Sequence, residues 1–160
     1  MILKAIYALL LFFLINTYSY SAGTAGDGTK SYYDKATKLI NAAIKYESKG
    51  KNKKAKKRYE RALKLLIKAN KEKPNQANTL NYLGFASRKL GDYENGEKYY
   101  LLGLQIDPNH KGINEYLGEL YVVTNRIDLA KKRLDVLKNC NCEEYQDLKE
   151  VIEGKKQSKY

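Results

Sequence analysis

The stretch NTLNYLGFASRKLGDYENGEKYYLLGLQIDPN, residues 78–109, decides the fold of this 160-residue chain. Its apolar spacing predicts two antiparallel helices joined by a short turn at Gly91-Asp92, and Pro108 follows the second helix. Close approach of the two helices requires small residues, which the stretch supplies at Gly84, Gly96 and Gly103. The stretch therefore predicts a helical hairpin.

A second copy of this pattern begins at Lys111, 34 residues after Ala77. Leu83-Gly84 matches Leu117-Gly118, Gly91 matches Asn125, Tyr93 matches Ile127, Gly96 matches Ala130, and Tyr100 matches Leu134. The copy departs from the pattern at Leu137, where a small residue is usual, and at Cys142, which replaces the proline. Those departures favour a terminal repeat, since its outer face receives no full neighbour.

An earlier copy is found with a shift of 41 residues, which aligns Gly50, Ala55, Tyr59 and Ala62 with Gly91, Gly96, Tyr100 and Gly103. The seven extra residues correspond to about two helical turns. Its second helix is expected to continue to about Lys73, because Pro74 stops it. Three repeats are thus predicted, over about residues 36–76, 77–110 and 111–142.

These residues resemble the tetratricopeptide repeat, whose pattern is Leu-Gly in the first helix, Gly at the turn, small residues in the second helix and Pro at the exit. The resemblance implies an all-α fold, a short helical solenoid of about three repeats. The stretches HKGINEYLGELY (residues 110–121) and CEEYQDLKEVI (residues 142–152) further resemble a group of small exported bacterial repeat proteins.

A capping helix is predicted over residues 143–153, followed by a polar tail, residues 154–160. Asn141 with Glu144 has the form of an N-terminal capping box. The apolar face of this helix is expected to consist of Tyr145, Leu148 and Ile152.

Residues 1–21 have the plan of a secretory signal peptide: Lys4, an apolar run from Ala5 to Ile15, and small residues before a cleavage site after Ser21. The run is about half the length that crosses a bilayer. Residues 22–29, AGTAGDGT, predict a flexible mature N-terminus. The segment therefore favours an exported protein, and the resemblance to small exported bacterial repeat proteins implies a bacterial periplasm.

The net charge of +12 resides in one segment, because residues 30–73 contain 16 basic and 4 acidic residues. Its densest part is a basic patch of Lys53, Lys54, Lys56, Lys57, Arg58 and Arg61. Docking on anionic lipid or another polyanion is one interpretation, and a solvated face produced by compositional bias is the other. Only five of the thirty basic residues are Arg, which disfavours nucleic acid as the partner.

The tetratricopeptide resemblance implies a concave groove for a protein or peptide partner, lined by the second, fifth, ninth and twelfth residues of each first helix. These positions are Thr37, Ile40, Ile44 and Glu47; Asn78, Asn81, Phe85 and Arg88; and Gly112, Glu115, Glu119 and Val122. The Asn pair could bind a peptide backbone and Phe85 could anchor an apolar side chain. Ile40 and Ile44 replace the first two members of the Lys and Asn clamp that holds a C-terminal carboxylate in chaperone-binding relatives. The alternative is that these positions are ordinary solvated helix residues.

Two groups of residues are candidates for chemistry. His110 with Glu115 and Glu119 could form a metal site, but a solvent-exposed turn histidine beside two surface acids is the favoured interpretation. Cys140 and Cys142 could form a local disulfide, pair between chains or remain free. Because no phosphate loop, zinc motif or Ser-His-Asp pattern is present, we expect no catalytic activity, no cofactor, no metal and no small-molecule substrate.

Overall fold

The computed structural model describes residues 31–158, which form seven α-helices and no strand within that range. The helices are α1 (Tyr32–Glu47), α2 (Asn52–Glu72), α3 (Ala77–Lys89), α4 (Tyr93–Ile106), α5 (Lys111–Val123), α6 (Ile127–Leu137) and α7 (Glu143–Ile152). The signal peptide and flexible N-terminus predicted over residues 1–29 lie outside the described residues. The all-α fold class expected from the sequence is confirmed.

The helices pair in chain order as α1 with α2, α3 with α4, and α5 with α6. Each connection contains one residue with a positive φ: 66° at Gly50, 87° at Gly91 and 58° at Asn125. Glycine adopts this left-handed conformation without a steric penalty, and asparagine tolerates it better than most residues. The turns predicted at Gly91 and Asn125 are therefore confirmed.

Close packing between helices depends on glycine, as the sequence pattern predicts. A Cβ atom on Gly84 would lie 2.5 Å from a ring carbon of Tyr100, which is fully buried. A Cβ atom on Gly118 would lie 2.5 Å from a methyl group of Leu148 in α7. The first contact joins α3 to α4, and the second lets α7 cover the last pair.

The first pair is longer than the others. α1 begins at Tyr32, capped by the Ser31 hydroxyl, and therefore starts before the predicted repeat boundary at residue 36. α2 extends for 21 residues to Glu72, close to the predicted end at Lys73. The face of α2 that packs against its neighbours consists of the five positions expected from the periodicity, Ala55, Tyr59, Ala62, Leu66 and Ala69.

Two details of α7 differ from the sequence-based expectation. Asn141 is not the helix cap; it has φ 46° in the connection, and Cys142 occupies the cap position without a side-chain hydrogen bond. The buried face is also rotated, since its members are Asp147, Leu148 and Val151. Leu148, which belongs to both the expected and the observed face, lies over Gly118 of α5.

The odd-numbered helices approach one another whereas the even-numbered helices do not. α3 contacts both α1 and α5, but within residues 31–158 no contact joins α2 to α4 or α4 to α6. Helices that lie on the inner side of a curved stack come closer together than those on the outer side. The inner, concave side is therefore formed by α1, α3 and α5. No helix in the described part of the chain has the length and apolar character needed to span a membrane.

Candidate functional site

The predicted groove positions lie along the concave side, where α3 and α5 bring six of them into one surface. We call this surface the concave face and define it by Asn78, Asn81, Phe85, Arg88, Glu115 and Glu119. Of these, only Asn78 is exposed; the other five are buried within the chain. The expectation of ordinary solvated residues is therefore wrong for five of the six.

Arg88 is the centre of a buried ionic contact between α3 and α5. One guanidinium nitrogen lies 3.3 Å from Oε2 of Glu119, and the other donates to the main-chain oxygen of Tyr116 at 2.7 Å. Both charged side chains have 0% exposure. A buried carboxylate is tolerated when a cation and hydrogen bonds compensate its lost hydration. Arg88 thus stabilises the junction between the two repeats, rather than facing open solvent.

Phe85 is not an open anchor, because its ring is enclosed by two tyrosines. Its centroid lies 6.0 Å from that of Tyr59 in an edge-to-face contact and 5.2 Å from that of Tyr116. Only 4% of the residue is exposed. The expectation that Phe85 offers a free apolar surface to a partner is corrected. Its ring packs against side chains of α2 and α5 instead.

The two asparagines occupy the part of the concave face nearest the α5 N-terminus. Asn78 is exposed, and its Oδ1 lies 2.9 Å from Nε2 of His110. Asn81 lies beside Gly112, whose missing Cβ leaves room for the amide. Asn81 is 8% exposed, and its Oδ1 has no hydrogen-bond partner among the described residues. This carbonyl is an acceptor that a bound segment could satisfy.

The first repeat contributes less to the concave face. Ile40 is buried in the core, Thr37 is half-buried and Ile44 is 45% exposed. Glu47 accepts from the Tyr59 hydroxyl at 2.9 Å and pairs with Lys89 at 2.7 Å. In the third repeat, Gly112 and Val122 are half-buried.

Three residues beside the concave face were missed by sequence reasoning. Tyr100 is fully buried with its hydroxyl near Arg88 and the two glutamates, and burial raises its pKa above the usual value, so the hydroxyl keeps its proton. Asp147, on the buried face of α7, pairs with Lys156. Ser158 donates its hydroxyl hydrogen to Oε2 of Glu119 at 3.1 Å. No repeat pattern covers α7 or the tail, so the pattern gave no signal for Asp147 or Ser158.

His110 caps a helix instead of lying free in a turn. Nδ1 accepts from the main-chain N–H of Ile113 at 3.2 Å, and Nε2 contacts Asn78. Both ring nitrogens are therefore engaged, and Glu119 is paired with Arg88. Residues 31–158 contain no cluster of three potential metal ligands. The interpretation of His110 as a solvent-exposed residue is corrected, since it is half-buried.

Acidification should destabilise the protein through His110. Burial lowers the pKa of His110 below its usual value, although Asp107 opposes the shift. The native state then binds fewer protons than the unfolded state, so the stabilising contribution is present above about pH 6.5 and is lost as the pH falls through the native pKa. Denaturant midpoints at pH 7.5 and 5.5 should differ for the native sequence. The difference should shrink in His110→Asn, which keeps a capping side chain without a titrating ring. An unchanged difference would contradict this role.

Cys140 and Cys142 are joined to each other in a disulfide within the connection between α6 and α7. Of the states left open by the sequence, the structure therefore contains the local disulfide. The pair lies at the entrance of α7.

The basic patch lies on α2, on the side opposite its packed face. Lys53, Lys54, Lys56, Lys57 and Arg61 are exposed and Arg58 is half-buried. Among the described residues, no ion pair involves any of the six. The patch thus belongs to α2, whereas the six residues of the concave face belong to α3 and α5.

Comparisons with known proteins agree with this architecture. Residues 77–110 match the family model described as tetratricopeptide repeat. No curated protein matches the chain. Among 37 matching solved chains, the structure titled "First TPR of Spaghetti (RPAP3) bound to HSP90 peptide SRMEEVD" is similar with a TM-score of 0.55 and 19% identity, covering 81% of this chain and 98% of that one. Residues 77–110 thus form a tetratricopeptide repeat, and the described chain has the fold of a short tetratricopeptide-type helical solenoid.

Proposed function

We propose that this chain is an exported, non-catalytic interaction module that binds a segment of a protein partner on its concave face. The observation that carries the proposal is the contact between Ser158 and Glu119, in which a non-helical segment already lies against this face. Asn81 supports the proposal, since its buried Oδ1 can accept a hydrogen bond from a partner's main chain. The solved structure of similar fold, which is bound to an HSP90 peptide, also supports the binding of a peptide segment.

The peptide bound in that structure, SRMEEVD, contains three acidic residues. On the concave face of this chain, Glu115 and Glu119 outnumber the single cation, Arg88, and Asp147 adds a carboxylate at its border. Like charges brought together in an interface are costly. The proposed partner segment therefore differs in chemistry from the peptide of the neighbour.

A retention experiment tests the proposal. The mature chain is immobilised, exposed to the soluble fraction of its native compartment, and washed at about 50 mM and about 500 mM salt. A partner held on the concave face should remain at high salt, because short-range contacts are screened little. Asn78→Trp, at an exposed position of this face, should reduce retention about tenfold. Leu102→Trp on the exposed side of α4 is the matched control and should retain the partner.

A second candidate function is docking on anionic lipid or another polyanion. The unpaired, exposed basic patch on α2 favours it. Charge reversal at Lys53, Lys54, Lys56 and Lys57 should then abolish retention, and high salt should do the same. If both occur while Asn78→Trp has no effect, the concave-face proposal is wrong and the docking function takes its place.

Export is a proposal supported by the composition of residues 1–22. We expect the protein recovered from its native host to begin at Ala22. Intact-mass measurement decides the point, and retention of residues 1–21 would contradict export with cleavage.

A further inference from the structure

The chain turns back on itself after α7 by a well-defined motif. Gly154 has φ 70°, its N–H donates to the carbonyl of Val151, and the N–H of Lys155 donates to the carbonyl of Glu150 at 2.9 Å. This is the hydrogen-bond pattern of a Schellman motif, which ends a helix and reverses the chain direction. The segment that follows is thereby directed toward α5 instead of continuing away from the solenoid.

Two polar contacts then hold this segment, residues 154–158, which we call the tail. Lys156 pairs with Asp147, whose side chain is 9% exposed. Ser158 donates to Glu119, whose side chain has 0% exposure and also receives Arg88. Lys156 lies nine residues after Asp147 in α7, and Ser158 lies 39 residues after Glu119 in α5. The two contacts therefore join the tail to two different helices.

The chemistry of the tail complements the concave face. The tail contains Lys155 and Lys156, and Lys159 follows it, with no acidic residue after Glu153. The carboxylates it meets are Asp147, which pairs with Lys156, and Glu119, which accepts from Ser158. A short polar segment with lysines is thus the kind of ligand that these carboxylates recognise.

We propose that the C-terminal tail is the resident occupant of the concave face, and that partners of this face are lysine-bearing polar segments that displace it. This inference rests on the function proposed above. Because the tail is covalently attached, it competes at an effective concentration on the order of millimolar. A partner segment must therefore bind more tightly than the tail, which makes the tail a threshold for binding.

The test uses the peptide GKKQSKY, residues 154–160, with a fluorescent label at its N-terminus. Its binding is measured by anisotropy to the full chain and to a variant that ends at Glu153. The shortened variant should bind the peptide at least about tenfold more tightly, because the competing tail is gone. The peptide GQQQSQY, which lacks the positive charges, should bind the shortened chain at least about threefold more weakly.

Point variants test whether the peptide binds where the tail lies. Asp147→Asn in the shortened chain should weaken peptide binding roughly threefold, the size of one partly exposed ion pair. Glu94→Gln, at an exposed acid of α4, is the matched control and should change nothing. If the shortened chain does not fold, Lys156→Gln with Ser158→Ala in the full chain loosens the tail and should raise its affinity for the peptide.

Equal affinity of the full and shortened chains for the peptide, or binding to neither, would overturn the inference. So would full binding of GQQQSQY. These results leave the proposed function standing if Asn78→Trp still releases a retained protein. Conversely, Asn78→Trp could leave partner retention unchanged while the peptide still competes with the tail. That result would contradict the proposed partner binding and support only the contact of the tail with the concave face.

Discussion

Replacing Arg88 with methionine should destabilise the protein by about 3–5 kcal/mol. The guanidinium is buried and provides both the charge opposite Glu119 and a donor to the main-chain oxygen of Tyr116. Methionine has a similar volume but leaves the Glu119 carboxylate without this cation in a place that water reaches poorly. The cost is measured as the change in the free energy of unfolding by urea denaturation.

Two controls separate this effect from general damage. Arg126→Met removes a more exposed ion pair with Glu97 and should cost under about 1 kcal/mol. Arg88→Met combined with Glu119→Leu should recover much of the loss, because the Glu119 carboxylate is then removed together with its cation. A loss below about 1 kcal/mol for Arg88→Met would show that the contact with Glu119 is solvated and does not define the repeat junction.

Phe85→Ala should lower the free energy of unfolding by about 3–5 kcal/mol. The ring lies between Tyr59 and Tyr116, so its removal leaves a cavity where α2, α3 and α5 meet. Thermal and urea unfolding both report the loss. A weaker partner interaction in this variant would follow from unfolding, so Phe85→Ala is a poor probe of the binding surface.

Tyr93→Ala is the matched control for Phe85→Ala, since Tyr93 is 42% exposed near the start of α4. It should cost well under 1 kcal/mol, in line with substitutions away from the core. If Phe85→Ala is equally mild while partner binding falls, then Phe85 is an accessible anchor and its enclosure by the two tyrosines is wrong.

The sequence predicted the helices well because local signals determine them. Glycines and Asn125 occur where the chain reverses, and the apolar period of α2 marks the face that is buried. Gly84 and Gly118 could be recognised as contact points because any side chain there would collide with a neighbour. These signals depend only on residues close in sequence or at the fixed repeat spacing.

The burial of the concave face could not be read from the same pattern. Arg88 and Glu119 lie 31 residues apart, and nothing within either repeat indicates that they meet. A charged residue at a groove position is expected to face solvent, unless an opposite charge from the next repeat reaches it. The cap of α7 was also misplaced: Asn141 has φ 46° in the connection, and Cys142, one residue later, is the cap.

The most direct measurement of the central claim is a crosslinking map of the surface that a native partner touches. A photoreactive amino acid is placed at Asn78 or Val122 on the concave side, at Leu102 on α4, or at Lys57 in the basic patch, and activated in the native compartment at low and high salt. We predict crosslinks to a partner polypeptide from Asn78 and Val122 at both salt concentrations, and none from Leu102. Crosslinks from Lys57 alone, lost at high salt, would contradict the claim that the concave face is the binding surface.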